Sequence, residues 1–226
     1  MRSLVVLAGQ INDDEACRIW LETADEIICA DGGARHVRRI GLKPDLLIGD
    51  MDSIDQQDLN WIQDEDIPII RHAVRKNETD AELAFIETIR HQSDQADDEN
   101  EIIVLGALGT RADHVLATQL LAASLAKPNR LFLLTDGATL IWTLVGGQTL
   151  VLNPSETDRA WAVSVSAISD TIEGLTYQGL AYPLKDAVLS RGTSLGVSNQ
   201  LAAGVRQATI RLRKGTALVV MTPADG

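Results

Sequence analysis

Up to about residue 138 the chain repeats one pattern, a short β-prone apolar run followed by an amphipathic stretch of helical length, and this alternation constrains the fold most. The runs are Leu4–Ala8, Glu26–Ala30, Leu46–Ile48, Ile67–Ile70, Ile102–Leu105 and Leu131–Leu134. They are nearly continuous in apolar character, as strands covered on both faces are. Between them lie Asp14–Glu22, Arg35–Ile40, Asp55–Asp64, Thr79–His91 and Ala112–Ala126. Such a succession predicts a parallel sheet with helices on both faces, an α/β/α (Rossmann-like) domain. After Leu140 the helical period disappears. Thr139–Thr143, Thr149–Leu152, Trp161–Ala167, Gly174–Pro183, Val188–Leu189, Gln207–Leu212 and Ala217–Thr222 read as antiparallel strands of a small all-β sandwich. The expected domains are therefore residues 1–138 and 139–226.

Composition narrows the function. A chain of 226 residues with 45% hydrophobic and 23% charged residues is globular. Its 20 Lys and Arg against 32 Asp and Glu give a net charge of −12, which disfavours binding to a nucleic-acid backbone. No apolar run reaches membrane-spanning length, and Met1–Gly9 is too short for a secretory h-region and reads as a first strand. Cys17 and Cys29 have neither disulfide-framework nor zinc-site spacing. A cytoplasmic location is the simplest expectation. The Walker P-loop, the Gly-x-Gly-x-x-Gly fingerprint and the His-Glu-x-x-His motif do not occur.

In an open parallel sheet, ligands bind beyond the carboxyl ends of the strands. Four segments at such positions carry acids beside Gly or Thr: Asp31-Gly32-Gly33, Gly49-Asp50-Met51-Asp52-Ser53, Lys76-Asn77-Glu78-Thr79-Asp80 and Gly106–His114. Asp50 and Asp52, two apart, would point to one side of an extended segment and grip one cation. Taken alone, the pair reads more readily as a turn and helix cap. Thr79 and Glu82 have capping-box spacing, which puts Asp80 in a first helical turn and gives it a structural reading too. Lys76 is either a phosphate contact or a surface lysine. The Gly106–Gly109 loop and Arg111 suit an anion, and His114 is either a nucleotide contact or structural. Four carboxylates gathered at one edge repel one another. Magnesium with a phosphate substrate would resolve that repulsion.

At these residues the chain resembles the thiamine pyrophosphokinases (thiamine diphosphokinases). The family pattern runs Ala-Asp-Gly-Gly-Ala, Pro-Asp-x-x-x-Gly-Asp-Phe-Asp-Ser-Ile, Lys-Asp-x-Thr-Asp and Gly-x-x-Gly-Gly-Arg-x-Asp-His. Here it falls on Ala30–Ala34, Pro44–Ile54, Lys76–Asp80 and Gly106–His114. Gly179–Leu184 and Gly196–Asn199 resemble the family's thiamine-binding segments. Met51, Asn77 and Thr110 depart from the pattern, replacing Phe, Asp and Gly. The resemblance implies pyrophosphoryl transfer from ATP to the hydroxyl of thiamine, releasing AMP. It implies that Asp31, Asp50, Asp52 and Asp80 hold Mg2+ and are catalytic, and that Lys76, Arg111, Asp113 and His114 bind ATP. Tyr182, Ser198 and Asn199 would bind thiamine, in a homodimer whose substrate site is shared between chains. Two alternatives stay open: another Mg-dependent pyrophosphoryl or nucleotidyl transferase acting on a related alcohol, and a non-catalytic nucleotide- or thiamine-sensing module.

Overall fold

The computed structural model describes residues 1–73, 78–93, 100–109, 111–154 and 160–224. They divide into two compact units, residues 1–121 with 132–137, and residues 122–131 with 138–226.

In the first unit the elements run β1 (Arg2–Val6), α1 (Asp14–Glu22), β2 (Glu26–Ala30), α2 (Ala34–Ile40), β3 (Leu46–Gly49), α3 (Gln56–Asp64), β4 (Ile69–Arg71), α4 (Asp80–Ser93), β5 (Asn100–Leu105), α5 (Ala112–Leu125) and β6 (Arg130–Thr135). Local chemistry sets many of these bounds. The Asp13 carboxylate accepts from the Ala16 N–H at 2.9 Å and starts α1. Asp55 does the same for α3 through Asp58 N–H at 2.8 Å, and Thr79 Oγ1 accepts from Glu82 N–H at 3.2 Å at the head of α4. The strands carry the core: Leu4, Val5, Ile28, Leu47, Ile102, Ile103, Val104 and Leu105 are all fully buried. Phe85 of α4 meets Phe132 of β6 with ring centroids 5.2 Å apart.

The strand order is β4-β3-β2-β1-β5-β6, and every neighbouring pair from β4 through β5 is parallel. Successive connections from β1 to β4 step one way along the sheet, and β5 then returns to the other side of β1. Between β1 and β5 the connections leave in opposite directions, and a crevice opens at such a switch point. The sheet is thus large and mainly parallel, as the alternating pattern predicts. Among the described residues no helix is long and apolar enough to cross a membrane.

The second unit adds β7 (Leu140–Val145), β8 (Thr149–Leu152), β9 (Trp161–Ala167), β10 (Thr171–Gln178), β11 (Ala187–Ser190), β12 (Ala208–Arg211) and β13 (Thr216–Pro223). β13 lies antiparallel between β7 and β9, and a separate antiparallel sheet has the order β11-β10-β12-β8. Residues of both groups, among them Val163, Val219, Ile172 and Ile210, share one buried cluster. The β10 strand begins three residues earlier than the Gly174–Pro183 reading and contains Gly174. Its register with β11 shifts between Glu173 and Leu175, so this glycine sits in an irregularity inside a strand and does not mark its start.

Candidate active site

Asp31, Asp50 and Asp52 converge at the carboxyl ends of β2 and β3, each offering an oxygen within 4.8 Å of the others. Asp31 opens the short 3-10 turn after β2 and is 1% exposed. Its Oδ2 accepts from the Ser53 N–H at 3.1 Å, and Ser53 Oγ accepts from the Gly32 N–H at 3.3 Å, which ties the two strand-end loops together. Its Oδ1 is buried with no hydrogen-bond partner. A buried carboxylate oxygen without a donor is costly unless a cation occupies that side. Asp31 and Met51 both have positive φ, 43° and 66°, a conformation that costs a non-glycine residue and recurs where side chains must be aimed.

The Asp50–Asp52 geometry differs from the extended segment read from spacing. The Asp52 N–H donates to Asp50 Oδ1 at 3.2 Å, and with the positive φ at Met51 this makes a turn. The carboxylates still meet, by chain reversal instead of strand alternation. Repulsion from Asp50, followed by burial and by Asp31 and Asp80, pushes the Asp52 carboxyl above its ordinary range. Asp80, in the first turn of α4, thus reaches the cluster electrostatically. The set is all carboxylate oxygen, which suits a hard divalent cation.

Beside this edge the loops after β1 and β5 touch through their backbones. A Cβ on Gly9 would lie 2.1 Å from the Gly106 carbonyl oxygen, and one on Gly106, whose φ is +69°, would lie 2.2 Å from the Leu7 carbonyl oxygen. Glycine is obligatory at both positions. Past this loop Arg111 grips Asp113, with Nη2 2.6 Å from Oδ2 and Nε 3.1 Å from Oδ1. That guanidinium holds the Asp113 carboxyl well below the usual carboxylate range. His114 is exposed in the first turn of α5. Lys76, Asn77 and Thr110 lie outside the described residues.

In the second unit the segment holding Ser198 and Asn199 runs along β9. Val163 and Asn199 exchange backbone hydrogen bonds of 2.7 and 2.9 Å, and Val165 N–H donates to the Gly196 carbonyl at 2.8 Å. The Gly179–Pro183 segment lies beside it, with Ala181 N–H donating to the Gln200 carbonyl at 2.8 Å. Asn199 is 6% exposed. Its Oδ1 accepts from Tyr182 N–H at 3.0 Å and its Nδ2 donates to the Tyr182 carbonyl at 2.8 Å. The amide is spent on the backbone of residue 182, so Asn199 fixes where Tyr182 stands. Tyr182 is 66% exposed, and Leu195 and Val197 of the neighbouring segment are exposed too. Ser198 has a φ of 61° and its N–H donates to Ser164 Oγ at 3.0 Å.

Sequence reading missed two residues at the first edge. Arg35 Nη2 donates to the Ala8 carbonyl, and His36 Nε2 lies 2.7 Å from the Gly9 carbonyl. They directly follow the Ala30–Ala34 motif, and that adjacency was the available signal.

Comparison with known proteins agrees along most of the chain. Residues 17–133 match the family model "Thiamin pyrophosphokinase, catalytic domain", and residues 150–217 match "Thiamin pyrophosphokinase, vitamin B1 binding domain". A thiamine pyrophosphokinase of Bacillus subtilis is 28% identical over 193 residues, 85% of either chain. The crystal structure of thiamine pyrophosphokinase from Bacillus subtilis superposes with a TM-score of 0.81 at 25% identity, covering 100% of both chains. Thiamin pyrophosphokinase from Candida albicans gives 0.77 at 19% identity, over 99% of this chain and 89% of that one, a likeness of fold. With both domain models matched in order over the strand-end acids and the Tyr182–Asn199 segments, the chain belongs to the thiamin pyrophosphokinase family.

Proposed function

We propose that the chain transfers a pyrophosphoryl group from ATP to the hydroxyl of thiamine, giving thiamine diphosphate and AMP. The observation that carries this reading is the Asp31, Asp50 and Asp52 cluster, with its buried, donorless Asp31 Oδ1, in a member of this family. Those three carboxylates, joined by Asp80, would hold Mg2+. The metal, when bound, neutralises charge on the triphosphate and so favours attack at phosphorus.

The protein's own groups do the rest. Lys76 and Arg111 contact phosphate oxygens, while Asp113 and His114 position the nucleotide. Because Asp113 occupies the Arg111 fork, the pair must open or share for a phosphate to bind bidentately. The alcohol attacks the β-phosphorus in line with departing AMP, so holding both ends of the reacting bond is the main task. Tyr182 stacks on the cationic, flat substrate, Ser198 supplies a polar contact, and Asn199 acts by fixing Tyr182. Residues 1–138 form the α/β/α domain for Mg–ATP and residues 139–226 a β-sandwich for thiamine. The protein works in the cytoplasm as a homodimer, the second domain of one chain facing the acid edge of the other.

The test is incubation with Mg–ATP and a thiamine titration, following AMP. Thiamine-dependent AMP with thiamine diphosphate is expected. ADP formation, or AMP release indifferent to thiamine, would overturn the reading.

A further inference from the structure

We propose that Arg35 is a polyphosphate-contacting residue of this site, supplying a cation that lies outside the four motifs; this rests on the reading above that the first domain binds Mg–ATP at its strand-end acids. Arg35 stands in the first turn of α2, four residues after Asp31, and its guanidinium is anchored by one N–H on the Ala8 carbonyl. Ala8 lies two residues past the end of β1, the strand between the one that leads to Asp31 and the one that leads to Gly106. The anchor therefore sets the guanidinium just past the carboxyl end of β1, at the switch point of the sheet.

Its pairing state distinguishes it from its neighbours. On the same helix, Arg38 is bound by Asp58 at 2.8 Å and Arg39 by Asp14. Arg111 is occupied by Asp113. Arg35 is exposed and has no carboxylate partner among the described residues. The N–H groups of its guanidinium not spent on Ala8 form a fork that fits phosphate oxygens.

The next residue prepares the same spot. His36 is 3% exposed, and burial pushes its imidazole down to about 4, so at neutral pH the ring is uncharged. The Gly9 carbonyl can only accept, so the proton is on Nε2 and the ring donates to it at 2.7 Å. Two successive carbonyls, Ala8 and Gly9, are thus capped by two successive side chains of α2. Uncapped, their negative ends would oppose an approaching anion. Capped, they leave the guanidinium charge and the Gly106–Gly109 backbone to meet it.

Binding of Mg–ATP and of Mg–tripolyphosphate is measured by calorimetry for wild type, Arg35→Ala and Arg35→Lys, together with KM for ATP and thiamine and the melting temperature. Arg35→Ala should weaken both polyphosphates by about tenfold or more, leave the thiamine KM within about twofold and keep the wild-type melting temperature. Arg35→Lys should recover part of the loss, since an ammonium restores charge without the fork. Unchanged polyphosphate affinity in Arg35→Ala would overturn the proposal. So would an equal loss for thiamine accompanied by a lower melting temperature, the signature of a residue that merely holds the Ala8 loop. The binding measurements need no turnover, so a protein without thiamine-dependent AMP formation would refute the activity and not this assignment.

Discussion

Asp52 is the most strongly opposed acid of the cluster, and its behaviour tests the metal reading directly. Its folded-state value is raised, so its contribution to stability is present at low pH and is lost as the pH rises through its titration, above the ordinary carboxylate range. Metal-free protein at neutral pH is therefore under mutual repulsion at this edge. Asp52→Asn should raise the melting temperature of metal-free protein by up to a few degrees, shrink the stabilisation given by added Mg2+, and lower turnover by about a hundredfold or more. Thermal unfolding with and without Mg2+, alongside AMP release, checks all three. Tyr182→Ala should raise the thiamine KM while leaving that for ATP near wild type; steady-state kinetics with each substrate varied decides it. His36 has the opposite sign to Asp52. Its value of about 4 lies below that of the unfolded chain, so stability falls as the pH drops from about 6.5 towards 4, by on the order of 3 kcal/mol. Urea unfolding of wild type and His36→Gln at pH 7 and 4.5 should show a smaller acid loss in the variant.

Elements were legible where the signals are local. The bounds of α1, β2, β8 and β9 read from sequence coincide with the structure, because Asp13 caps its own helix and the strands carry their own apolar runs. Most other bounds shifted by one to three residues, two of them for evident physical reasons. β1 starts at Arg2, whose Nε bonds Glu101 at 2.7 Å and satisfies a charge within the strand, and β10 continues through Gly174. What sequence could not give is which loops meet. The Gly9–Gly106 contact joins segments nearly a hundred residues apart, and the Arg35 and His36 bonds to Ala8 and Gly9 exist only because α2 packs against β1. The turn at Met51 was also invisible, since it depends on a backbone conformation that Met rarely adopts. Gly106→Ala should lower stability by a few kcal/mol, combining a left-handed backbone with a clash against Leu7. Denaturant unfolding of the variant measures it, and Gly41→Ala, also at positive φ but with open space around it, should lose less.

At the scale of the molecule, the homodimer proposal predicts sedimentation equilibrium at twice the 24.5 kDa chain mass. If the substrate site is shared, mixing Asp52→Asn and Tyr182→Ala chains under exchanging conditions at low thiamine should restore activity above the sum of the two alone. No such recovery would place both residues' functions within one chain. The strand order has a further consequence, for the growing chain. β1 is flanked by β2 and β5, and β5 is completed a hundred residues after β1 leaves the ribosome. Until then the fully buried Leu4, Val5 and Val6 strand is an open edge, able to pair with another nascent copy. Any fragment ending before β5 carries the acid cluster's sequence but exposes that edge, so such truncations should aggregate instead of accumulating as inactive folded protein.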